Sequence, residues 1–229
     1  LAHLLDTVPT RPLNAWEFII GGQSLFRVNE PMGSDSPCTL VSQPLFLEAL
    51  ITEAQQQGLE LIQGVTVKDV LWNSGPEENK TSTGDRVSGV VLSDSRTLEA
   101  DLVIGADGRR SVVRQQAGLD LKTEPKSIDV LWFKLPSPPQ LVENNTFYSI
   151  VNQRRVFSLF HSTTEGQMHL AWVVYPDAGP DTDIDQGQSA TAWAETFAEL
   201  SPNWLAEHFR NHANAIASPI KLSVVVGLC

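Results

Sequence analysis

Residues 101–114 read DLVIGADGRRSVVR, and three side chains in that stretch carry chemistry: the Asp107 carboxylate, the Ser111 hydroxyl and the Arg114 guanidinium. The apolar run 102–104 has the pattern of a short strand covered on both faces. It leads into Gly105, where a chain turns sharply and a ligand approaches the backbone closely. Asp107 and Gly108 are expected to open a helix over 109–118, with Gly118 at its stop. An Asp at a helix start caps orphan N–H groups, or accepts a hydrogen bond from a ligand hydroxyl. Free N–H groups there favour an anion such as a pyrophosphate. Asp107, Ser111 and Arg114 fall at i, i+4 and i+7, one face of that helix. The same strand, glycine turn and capped helix also occur where nothing binds. Asp107 is then an N-cap, and Arg114 is solvated or paired with it. GADG alone leaves both readings open and favours the plain connector. The longer pattern DxxxGADGxxSxxR is far more specific and shifts the balance to a ligand site.

The remaining reactive residue types form weaker groupings. His208 and His212 stand at i, i+4 on an expected helix, but without the Glu of an HExxH zinc motif or a third ligand. Arg154 and Arg155 fall in an expected hairpin turn, where they are solvated or meet an anionic substrate. Trp132, Phe133, Phe157, Phe160 and Trp172 belong to expected strands. Alternation sends some of them to an aromatic pocket and leaves most as core. The sequence has neither a GxSxG nucleophile elbow nor a CxxC pair, and no catalytic residue or metal site is assigned.

The elements that must position these groups show in the hydrophobic pattern. A hairpin is expected from Trp16 to Val28, turning at Gly21-Gly22. QPLFLEALITEAQQQG predicts a helix with Leu45, Leu47, Leu50, Ile51 and Ala54 on one side, Pro44 in its first turn and Gly58 at its stop. Strands are expected at 59–62, 65–72 and 87–93, the last two flanking a polar loop at 73–85. From about residue 128, IDVLWFKL, TFYSIV, RVFSLF and HLAWVVY read as an antiparallel sheet. Helices ATAWAETFAEL and PNWLAEHFRNHA and a last strand IKLSVVVG follow. The fold class is α/β, α+β overall, with an antiparallel sheet beside a mixed layer.

The 229 residues carry a net charge of −11, which argues against a broad nucleic-acid or anionic-membrane surface. Cys38 and Cys229 do not make a disulfide framework and point to a reducing compartment, so the expected location is cytoplasmic. The sequons at Asn79 and Asn144 are read as chance triplets. No apolar run reaches the roughly 18 residues of a membrane span, and no signal peptide is expected. The chain begins at Leu1 and stops inside KLSVVVGLC, so an internal fragment of a longer protein is expected.

The stretch DLVIGADGRRSVVR resembles the Asp-Gly motif of the flavoprotein aromatic hydroxylases, FAD-dependent monooxygenases similar to para-hydroxybenzoate hydroxylase. Asp101, Gly105, Ala106, Asp107, Gly108, Ser111 and Arg114 match it in place. TLVSQPLFLEALITEA resembles the family segment in which an Arg or Gln before a helix contacts FAD, and Gln43 holds that position. VTVKDV resembles the strand beside the adenine, with Val67 contributing through its backbone. SIDVLWFKLPSPP resembles the entry into the substrate-binding sheet. The family's leading GxGxxG unit and its later Gly-Asp motif do not occur in these residues.

The resemblance implies a partial FAD-binding Rossmann-like layer at 38–125 and a discontinuous antiparallel-sheet substrate domain at 8–37 and 126–229. It implies cofactor-binding roles for Gln43, Val67, Gly105, Ala106, Asp107, Gly108, Ser111 and Arg114. The activity implied is NAD(P)H-dependent hydroxylation of a small, aromatic substrate by molecular oxygen through a flavin hydroperoxide. The cofactors are then FAD and NAD(P)H, with no metal, no nucleic acid, and a homodimer as one option for assembly. The alternatives are an FAD-dependent reductase or halogenase of the same superfamily, or a truncated non-catalytic fragment.

Overall fold

The computed structural model describes residues 2–73, 86–108, 110–119, 122–123, 128–175, 189–216, 219–224 and 227–228. Most of the polar loop expected at 73–85, including Asn79, lies outside the described residues, as does Arg109. Contacts divide the chain into two units, Leu1–Gly58 with Lys126–Val224, and Leu59–Pro125 with Val225–Cys229.

The first unit is built on a seven-stranded sheet. Its strands are β2 (Ala15–Ile20), β3 (Gln23–Asn29), β9 (Ile128–Pro136), β10 (Thr146–Asn152), β11 (Arg155–His161), β12 (Gln167–Val174) and β13 (Ile220–Val224), in the order β13-β9-β12-β11-β10-β2-β3. All neighbours are antiparallel except β10 and β2, which run parallel. The expected hairpin at 16–28 and all four runs after residue 128 are strands of this sheet. Two short strands, β1 (Thr10–Pro12) and β4 (Thr39–Val41), pair separately.

Period-2 patterning decides what each sheet face carries. Leu131, Phe133 and Leu135 of β9, Met168, Leu170 and Trp172 of β12, and Phe157 and Leu159 of β11 are all buried. Helices α4 (Ala190–Leu200) and α5 (Asn203–Asn211) supply Trp193, Phe197, Leu205 and Phe209 to the same core. Ser189 caps α4 by accepting from the Ala192 N–H at 3.2 Å. Phe197 sits at the centre, with Phe133, Trp172, Trp193 and Phe209 rings all within 5.1–5.6 Å. A short helix α3 (Pro139–Asn144) buries Leu141.

Helix α1 (Gln43–Gln56) forms where expected, yet none of its side chains is fully buried. Leu50, Ile51 and Ala54 are half-buried, and Leu45 and Leu47 are exposed. A helix face is legible in sequence; what covers it is not.

In the second unit, β5 (Val67–Asn73), β6 (Arg86–Leu92) and β7 (Thr97–Glu99) form an antiparallel sheet, and α2 (Val112–Gln116) packs on β5. A two-stranded ladder joins β8 (Lys122–Thr123) to β14 (Gly227–Leu228). Two expected strands are corrected: neither 59–62 nor 102–104 is a strand, and Leu102 and Ile104 are 74% and 79% exposed. An apolar run becomes a covered strand only when other strands meet its backbone, and no described strand pairs with it.

The Phe197→Ala variant tests the core assignment. It should lose about 3–5 kcal/mol in urea unfolding, because the four aromatic rings around it cannot collapse into the space. A loss below about 1 kcal/mol would place Phe197 outside a packed core.

Candidate functional site

The protein has two candidate regions, one in each unit. In the second unit, residues 102–108 belong to no helix or strand and end in Gly-Ala-Asp-Gly. Gly108 takes φ +81°, a left-handed conformation that a side chain would strain. Helix α2 starts at Val112, with Ser111 as N-cap, so Asp107 stands before the helix rather than opening it. The expected i, i+4, i+7 face through Asp107 is therefore not formed.

Asp107 and Ser111 nonetheless meet directly. The Ser111 hydroxyl donates to Asp107 Oδ1. The Val112 and Val113 N–H groups donate to Asp107 Oδ2 at 2.6 and 3.2 Å, and the Arg114 N–H donates to Ser111 Oγ at 3.0 Å. These are the first N–H groups of α2, which a helix leaves without internal partners. The expected free donors for an anion are thus occupied by the chain's own side chains. The Ser111 hydroxyl, then the Val113 and Val112 N–H groups, hold the Asp107 carboxyl below the usual carboxylate range.

Gly105 has a local packing reason as well. A Cβ there would stand 2.9 Å from Val113 Cβ and Cγ1, so the glycine lets α2 lie against the turn. Asp101, the first residue of the motif, lines an open polar cavity of about 400 Å³ with Asn73, Ser88, Glu99 and Ala100. Val67 begins β5, half-buried and paired with Leu92.

The second region lies in the first unit. A cavity of about 660 Å³ is lined by 39–44 and by sheet residues including Trp132, Lys134, Phe160 and His169. Gln43 is on this lining, at the first position of α1. The N-cap residue Ser42 makes no side-chain cap, and Pro44 brings no N–H, so this helix start is not closed on itself as α2 is.

The sheet face here is the one opposite the core. Aromatic rings cross it in sequence: Trp16 to Phe147 at 4.5 Å, Phe147 stacked on Phe160 at 5.2 Å, and Phe160 edge-on to Trp132 at 5.8 Å. His169 packs on both Phe160 and Trp132, at 5.3 Å from each. The expected pocket set thus divides: Trp132 and Phe160 face the cavity, whereas Phe133, Phe157 and Trp172 are core. His169 and Lys134 were missed. The alternation of β9 and β12 gives each residue a face, but only their register makes the two direct neighbours.

Gln153 and Arg154 take φ 47° and 66° at the β10–β11 turn, and Arg155 lies 6.0 Å over the Trp172 ring. The His208 Nε2 is 2.8 Å from the Pro136 carbonyl, and His212 Nδ1 is 2.9 Å from the His208 carbonyl. Among the described residues, no group of three or more His, Cys, Asp or Glu is placed to hold a metal ion. No helix among them is long and apolar enough to cross a membrane.

Residues 12–214 match the model of the FAD binding domain family, and the chain belongs to that family. It is 27% identical over 168 residues to a Rhodococcus erythropolis protein named "Putative 2-heptyl-3-hydroxy-4(1H)-quinolone synthase AqdB1", covering 71% of this chain and 39% of that one. A stretch of 33 residues is 58% identical to ubiquinone hydroxylase UbiL of Rhodospirillum rubrum, covering 14% of this chain and 8% of that one. The fold is that of Pseudomonas aeruginosa PqsL, solved with 2-aminobenzoylacetate, at TM-score 0.71 and 16% identity over 96% of this chain and 57% of that one. It is also that of the tetrameric form of 2-methyl-3-hydroxypyridine-5-carboxylic acid oxygenase, at TM-score 0.65 and 19% identity over 99% and 56%. The chain therefore spans well under two thirds of these relatives.

The cap at α2 has two measurable consequences. Ser111→Ala should cost about 1 kcal/mol locally, seen as roughly fivefold faster amide hydrogen exchange at Arg114. Because the Asp107 pKa is lowered by folding, its contribution is present above the ordinary carboxylate value and is lost as pH falls through the lowered one. Asp107→Asn should remove that acid dependence of α2 exchange, and an unchanged acid limb would contradict the capping role.

Proposed function

We propose that the protein carrying this chain is an NAD(P)H-dependent FAD monooxygenase that hydroxylates a small aromatic substrate with molecular oxygen. The observation that carries the reading is the cavity of about 660 Å³ between an aromatic sheet face and the uncapped start of α1. A planar ring gains dispersion and offset stacking on such a face. The names of relatives agree with it, since one solved relative holds 2-aminobenzoylacetate and another is a pyridinecarboxylic acid oxygenase.

The residues fit the cofactor in a divided way. Gln43 and Ser42 bring polar groups to the cavity at a helix start that the chain leaves open. Gln43 would hold FAD there through its side-chain amide. In the second unit, Asp107 and Ser111 spend their hydrogen bonds on the turn itself. Their role is to fix the backbone of Gly105, Ala106 and Gly108 so that it meets the cofactor, with Arg114 held on the first turn of α2. Val67 would contribute backbone on the adenine side. In this reading 38–125 is part of the FAD domain, and 8–37 with 126–229 forms the substrate domain.

Bound FAD supplies the electron transfer from NAD(P)H and the activation of oxygen. What this chain adds is shape and exclusion of water. The rings of Phe147, Phe160 and Trp132 form an aromatic wall, and the sheet beneath them is held rigid by its aromatic core.

The test is to purify the full-length protein and record its absorbance. A flavin spectrum and NAD(P)H oxidation matched by oxygen uptake on an aromatic substrate are expected. A colourless, stably folded protein would sink the reading. Gln43→Ala should weaken FAD binding by about five- to tenfold, the worth of one hydrogen bond to a polar ligand.

A further inference from the structure

We infer that His169, held in one tautomer by Trp132, acts with Lys134 as a recognition pair for an anionic oxygen on a planar aromatic ligand. The inference rests on the reading of this sheet face as the substrate wall, and it names a specificity determinant within that wall.

The geometry starts from the indole. Trp132 Nε1 donates to His169 Nδ1 at 3.0 Å. An indole N–H is a donor only, so the ring nitrogen facing it must present a lone pair. A neutral imidazole with Nδ1 bare carries its proton on Nε2. The imidazolium would set two donors against each other. Burial of His169, together with the neighbouring Lys134 charge, also works against the imidazolium. The imidazole is thus fixed as an Nε2–H donor, and that N–H has no acceptor among the described residues.

Lys134 stands directly opposite His169 in the β12–β9 register. Side chains directly opposite on one sheet face are roughly 5 Å apart at Cβ. Both residues line the cavity, and no carboxylate among the described residues pairs with Lys134. Rings flank the pair, with Phe160 and Trp132 each 5.3 Å from the imidazole. A neutral N–H donor and an ammonium side by side, bordered by rings, match a planar aromatic bearing a carboxylate or a phenolate. With His169 Nδ1 already taken by the indole N–H, neither residue offers the ligand an acceptor, so a neutral amide in the same place gains less.

The pair is tested on the full chain without flavin, NAD(P)H or oxygen, so its failure is separate from failure of the monooxygenase reading. Nitrogen-15 histidine spectra should show Nδ1 bare and Nε2 protonated at His169, with the Nε2 resonance shifting on addition of sodium benzoate or of 4-nitrophenolate at pH 8. Response to benzoate assigns the oxygen to a carboxylate, and response to 4-nitrophenolate assigns it to a phenolate; either supports the pair. Benzamide should bind at least about tenfold more weakly than benzoate, and Lys134→Met and His169→Gln should each weaken the anion by about tenfold. Trp132→Phe keeps a ring but removes the N–H. It should mix the two tautomers and weaken the anion severalfold with Lys134 intact. Thermal melts confirm that each variant folds. The inference is overturned by an Nδ1–H tautomer, by failure of both anions to bind, by equal binding of benzamide, or by variants that bind as the parent does.

Discussion

The register of β9, β12 and β11 is the constraint on which the first unit depends. Phe133, Trp172 and Phe157 turn to one side of the sheet and are sealed by Phe197 and Trp193 from α4. Because strand side chains alternate, that burial sends Trp132, Lys134, Phe160 and His169 to the other side. The core and the cavity wall are two consequences of one alternation. A one-residue slip in any of these strands would exchange a core ring for a cavity ring.

The two helix starts show how similar local sequence reaches different chemistry. At α2, Asp107 and Ser111 satisfy the opening N–H groups and hold the Gly-Ala-Asp-Gly turn in shape. At α1, Ser42 caps nothing, and Gln43 beside it lines a cavity. A polar residue beside a helix start is therefore not yet a ligand contact. Whether the chain itself consumes its hydrogen bonds decides how much is left for a cofactor. At the Asp-Gly turn the chain consumes those hydrogen bonds itself, and what it leaves open is backbone, with glycine or alanine at three of four positions.

The sheet was legible because IDVLWFKL, TFYSIV, RVFSLF and HLAWVVY are β-branched and aromatic runs at hairpin spacing, and α4 and α5 were legible from their spaced aromatics. At 102–104 the residue types also fitted a covered strand, but the structure forms no strand there and leaves Leu102 and Ile104 exposed. Leu45 and Leu47 are similar, helical as expected and uncovered. Apolar character records a preference for cover; it does not supply the partner.

By itself the sequence determined which segments alternate, where the chain turns, and that residues 101–114 carry a motif of high specificity, because these depend on local sterics and spacing. It could not decide that His169 lies against Trp132 and opposite Lys134, since that follows from a register between strands more than thirty residues apart. Nor could it decide that Asp107 would turn back onto its own helix. Hydrogen-bond donors and acceptors are fixed by residue type, but their partners are chosen only when tertiary packing sets the distances.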